Sequence, residues 1–246
     1  MKRSMILFAI AVLFCVSALA QNAGRGVITA LEGEAEKRTA PEADWLETAL
    51  EMDVYAKEMV RTLPDSFAEI SLLRGSVIRL APKTTINMNK LYEEAEDQIV
   101  TNIQVAEGEI WGNVNKAGED ELFSVDSTSV SSSIIGTVFR INTGDEGTLI
   151  KVYRGNVEVS GKPVDPQKDK ALSEEPAEIS GPTEVAGPRE VTLEEWTILV
   201  REMMELRVDS QGRVVRMQSI DTQSAEEQSS WVKWNKERDS VSPVQH

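Results

Sequence analysis

Two stretches of strict alternation, at residues 123–125 and 138–159, constrain the fold of this chain more than any other feature. Phe123 and Val125 alternate with polar neighbours, and Val138 and Arg140 share one strand face while Phe139 and Ile141 share the other. Ile150 and Val152, then Val157 and Val159, repeat the pattern. A period of two buries one face of a strand and turns the other to water. Gly136, just before the second stretch, interrupts a run that otherwise reads as strand, which predicts a bulge or a close backbone approach. Thr143-Gly-Asp-Glu-Gly147 supplies a turn, so the stretch predicts a β-hairpin at the centre of a β domain.

An internal repeat extends that reading. The pattern apolar-apolar-charged-Gly occurs at Ala30–Gly33, Leu72–Gly75, Val105–Gly108 and Val152–Gly155. Glycine supplies the positive φ that tight hairpins need, so each copy predicts a hairpin. The copies are unevenly spaced, which argues for a roll or sandwich over a solenoid with equal rungs.

Residues 1–20 read as a signal peptide. Met1-Lys2-Arg3 is a charged opening, Met5 to Val16 is almost wholly apolar, and Ala18-Leu-Ala20 offers a cleavage site before Gln21. An uncleaved anchor is the alternative, as is lipidation at Cys15, although Phe14 is bulky where the lipidation motif wants a small residue. Cleavage leaves no cysteine, hence no disulfide and no thiol chemistry. The one histidine is His246, at a polar chain end that offers nothing to fix an imidazole. The net charge is −15, becoming −17 once Lys2 and Arg3 leave, which opposes binding to nucleic acid or anionic lipid. Two acidic spots, 119–121 and 145–146, lack the ligand spacing of a calcium loop and read as solvated turns. The sequence thus offers no catalytic, cofactor or metal-binding set, and it predicts no enzyme.

The order Phe123-x-Val125, Ser131-Ser-Ser-Ile-Ile-Gly136-Thr137-Val-Phe139-Arg-Ile141 and Thr148 to Val159 resembles the FecR domain family. Gly26 to Gly33, Trp45 and Phe67 to Pro82 resemble other parts of that domain, so the likeness covers about 26–161. Ile135 and Val138 stand where the family commonly has arginine and glutamate. The resemblance implies an antiparallel β-roll or sandwich-like domain over 24–161, working outside the cytoplasm as a binding or relaying module. Family members that regulate sigma factors carry a cytoplasmic segment first. Here only Met1-Lys2-Arg3 would remain inside, which predicts no direct grip on a sigma factor. Gly136, Thr137 and Phe139, with Gly75, Gly108 and Gly155, are the signature positions expected to serve structure.

Beyond the domain, five of nine prolines fall between Pro163 and Pro188, marking 162–190 as an arm or linker. Thr192 and Glu195 form a capping box, and Trp196, Leu199, Val200, Met203 and Leu206 recur at helical spacing. The region 191–220 therefore predicts an amphipathic helix over 192–206, docked on the β core, then a turn and a short strand over 213–217. Residues 221–246 read as a polar, flexible tail whose Trp231 and Trp234 either pack back or anchor a partner, as Trp196 could also do. Together these features predict a secreted or periplasmic, non-catalytic module contacting an envelope protein, with no membrane span in the mature form. Cell-wall or surface polysaccharide is the alternative ligand, though only 5% of residues are aromatic and no strand carries a row of them.

Overall fold

The computed structural model describes residues 24–162 and 196–241, apart from 96, 117 and 119. The signal peptide, most of the Pro-rich arm and the Thr192–Glu195 capping box lie outside the described residues.

Fifteen strands form one mixed, mostly antiparallel sheet that folds over on itself. One layer contains β4 (Asp53–Tyr55), β1 (Arg25–Glu32), β6 (Phe67–Ser71), β7 (Val77–Leu80), β14 (Met204–Val208) and β15 (Val214–Ser219). The other contains β3 (Leu46–Glu47), β2 (Ala35–Arg38), β5 (Met59–Thr62), β8 (Thr85–Ala95), β10 (Glu121–Asp126) and β13 (Thr197–Arg201). Three long strands belong to both: β9 (Gln98–Asn113), β11 (Val130–Gly144) and β12 (Gly147–Gly161). The first half of β9 pairs with β8 and with β10, the latter in parallel, while its second half pairs with β7 and β11. Ile28, Ile70, Ile78, Ile110, Phe139, Ile150 and Leu206 from the first layer meet Val60, Ile86, Ile103, Val125, Val157 and Val200 from the second in one core. The expected hairpin is present, β11 against β12 from Val130↔Gly161 to Gly144↔Gly147.

The repeated glycines do other work than predicted. Only Gly75 lies in a hairpin connection, between β6 and β7. Gly33 separates β1 from β2, which pair with different neighbours, while Gly108 and Gly155 sit inside β9 and β12 where each strand changes layer. Their φ values of +91° and +81° turn the backbone without ending the strand. A side chain at Gly155 would place its Cβ 2.8 Å from the Gly136 carbonyl oxygen, so the two bends pack against each other.

The helix expected over 192–206 is a correction. Its described part is two strands, β13 and β14, laid along the two halves of β12. Val200 is fully buried and Leu199 half exposed, which is strand alternation, and Glu202-Met203 then forms a turn with Met203 at φ +60°. After that turn Leu206 and Val208 are buried in their own period of two. Two short strands separated by a two-residue turn reproduce the three-and-four spacing of a helix face. The strand after Gly212 is present as β15.

The expected flexible tail is a second correction. Its one helix, α1 (Ser230–Val241), lies against the outer face of the first layer. Ser229 caps it, its hydroxyl oxygen accepting from the Val232 N–H at 3.4 Å.

Candidate functional site

The outer face of the first layer should meet water on the alternation argument. Instead it is buried. Register places Glu69 beside Arg79, Arg79 beside Trp111, Trp111 beside Arg140, Arg140 beside Lys151 and Lys151 beside Glu205. All six are at most 6% exposed. Each basic member has an acidic partner within the sheet: Arg79 and Glu69 at 2.6 Å, Arg140 and Glu109 at 2.7 Å, Lys151 and Glu205 at 3.5 Å.

The segment from Ile220 through α1 covers this row and adds a second set of partners. Glu226 and Glu227 reach Arg140 and Lys151, with both carboxylates 3.0 Å from the Lys151 ammonium. Asp239 accepts from Arg79 at 2.7 Å, from Trp111 Nε1 at 3.0 Å and from Asn113 at 3.0 Å. Arg238 donates twice to Glu69, at 2.8 and 2.9 Å. Trp231 and Val232 form a small apolar cluster with Ala81, Trp111 and Val138, flanked by Phe67, Tyr153 and Trp234. Trp111 stacks on Tyr153 at 4.5 Å, and Phe67 lies 5.3 Å from the Trp231 ring.

Burial raises the Glu69 carboxyl, but hydrogen bonds from Arg238, Arg79 and Thr29 outweigh it and hold the group at about 2. Burial likewise opposes the charge on Glu226, and Arg140 and Lys151 overcome it. Both acids are lowered in the folded state, so their stabilisation is present above the ordinary value of 4.5 and is lost as pH falls through their folded values, about 2 for Glu69. Acid titration should therefore loosen this segment across that window. Fluorescence of Trp231 and Trp234 is expected to shift to the red there, and a constant spectrum down to pH 2 would contradict the assignment.

The signature positions lie elsewhere. Gly136 has φ +59° where β11 bends between layers. Buried Thr137 exchanges two backbone hydrogen bonds with Val114, and its hydroxyl donates to the Asn156 carbonyl at 2.9 Å. Phe139 is fully buried, its ring against Gly112. Trp196 is half-buried beside Gly161 and donates to the Gly212 carbonyl at 2.8 Å. Trp231 is buried, while Trp234 stacks on it at 5.7 Å and donates to Glu32 at 2.6 Å. Of the three tryptophans, then, two come together and Trp196 stands apart. Of the acidic spots, Glu121 pairs with Arg74 and Glu146 with Arg207. Near Gly75 a cavity of 230 Å³ is lined by Leu73, Tyr92, Val114, Asn115 and Phe123.

Sequence reasoning missed the charged row. Its signal was faint but present: Arg140 lies between Phe139 and Ile141, and Lys151 between Ile150 and Val152, in strands long enough to cross the whole molecule.

Among the described residues, the fold is that of a folded-over β sheet with one accessory helix. Residues 58–158, from just before β5 almost to the end of β12, match the model of the FecR protein family. The matched span contains every member of the charged row except Glu205, whereas α1 lies beyond it. Two crystal structures of a candidate anti-sigma factor from Parabacteroides distasonis ATCC 8503 are similar in part. The first aligns with a TM-score of 0.47 and 16% identity over 71% of this chain and 64% of that one. The second aligns with a TM-score of 0.45 and 16% identity over 68% and 62%. This chain thus spans less than two thirds of that protein's length. No curated protein matches.

Proposed function

We propose that this chain is a non-catalytic binding module that works outside the cytoplasm and contacts protein. The observation that carries this reading is the use made of the FecR signature. Gly136 bends a strand between layers, Thr137 ties two backbone segments together and Phe139 fills the core. Residues that build a scaffold leave recognition to the surfaces it presents. The leader-like residues 1–20 support a location outside the cytoplasm.

Capture of partners from an envelope extract by the purified mature chain, set beside sedimentation on purified cell wall, tests this directly. Specific protein bands without co-sedimentation are the expected result. Co-sedimentation with wall and no protein band would replace it with polysaccharide binding.

A further inference from the structure

The contact between the C-terminal segment and the first layer differs in kind from the core. The main core cluster contains no residue from 220–241, so lifting the segment leaves that core closed. The row beneath is also self-sufficient, because Arg79, Arg140 and Lys151 keep Glu69, Glu109 and Glu205 when the segment is gone. A face meant to stay covered is stabilised at least as well by apolar side chains as by buried ion pairs. A row of paired charges, by contrast, tolerates water. The segment itself fits imperfectly: Trp231 Nε1 is buried without a hydrogen-bond partner and Glu227 Oε2 has only the Lys236 ammonium at 3.8 Å, and such atoms weaken an association.

We propose that this face is a docking site for a tryptophan-carrying helix that is preceded by a pair of carboxylates and bears another near its end, and that residues 221–241 are its resident occupant, displaced when a partner protein presents a segment of that chemistry. Charge complementarity defines the partner. Carboxylates must meet Arg140 and Lys151 at one end and Arg79 at the other, as Glu226, Glu227 and Asp239 do now. Between them one large aromatic must settle against Phe67 and Trp111, as Trp231 does. Recognition of this type lays a helix in a prepared face through a few anchors. The inference rests on the protein-binding reading and names the surface involved.

The test uses the full mature chain with a protease site inserted between the exposed residues Thr222 and Gln223. After folding and cutting, a fluorescent peptide of residues 221–241 is added. The cut chain should exchange its own segment for the labelled one, with about tenfold weaker retention at 1 M than at 0.1 M salt, as charge screening requires. The uncut chain should take up at least about tenfold less label, because its tethered segment competes at high effective concentration. A labelled peptide with Glu226, Glu227 and Asp239 changed to their amides should not exchange. The proposal is overturned if the cut chain takes up no label, takes it up equally at both salt concentrations, or unfolds on cutting. Failure here would leave partner capture from the envelope extract unaffected, so the two readings stand or fall separately.

Discussion

Phe139→Ala should lower the stability of the protein by about 3–5 kcal/mol, the range for removing a buried aromatic ring. The upper part of that range is expected, because the ring lies against Gly112, which has no side chain to move into the space. Its strand is held on both sides, by β9 and by β12, so the backbone cannot close the gap either. The cavity term therefore adds in full to the lost burial. Urea unfolding of the purified protein measures it. Unchanged stability with lost partner capture would make Phe139 a contact and refute its place in the core.

Arg140→Met should cost about as much, about 3–5 kcal/mol, for a different reason. Arg140 is 4% exposed and faces Glu109, Glu226 and Glu227. Methionine keeps much of its volume, so packing changes little. What is lost is the positive charge among three carboxylates, leaving Lys151 and, 3.8 Å from Glu227, Lys236 to offset Glu226 and Glu227, and no cation to offset Glu109. Adding Glu109→Gln should recover part of the loss, since the glutamine carries no charge to bury. An unfolding series on the two single variants and the double measures this coupling. Strict additivity would mean that the pair does not act as one.

How much of this could be read in the sequence follows from where the interacting residues lie along the chain. The β11–β12 hairpin was legible because its strands are neighbours and their inward residues alternate without interruption. The segment 197–208 was misread because a turn at Glu202-Met203 shifts the phase of two strands by an amount that mimics a helix. In the opposite sense, α1 was hidden because its buried residues are few and its hold on the sheet is largely ionic. Trp231 and Val232 are its buried apolar side chains, and Arg238 and Asp239 carry its far end. The charged row was illegible as a unit. Its members stand on separate strands from Glu69 to Glu205, and only the sheet's register sets them side by side.

The three strands that run through both layers have a mechanical consequence. A one-residue slip of β11 against β12 would turn Arg140 toward the core and Phe139 toward the charged face. Since the same strands continue past their bends, that slip would be transmitted to Ile134 and Val157 in the other layer. Pairing errors in one layer are thereby proofread by the other. The bends at Gly136 and Gly155 act as fixed index marks, which hold the alignment of the whole sheet from a single corner.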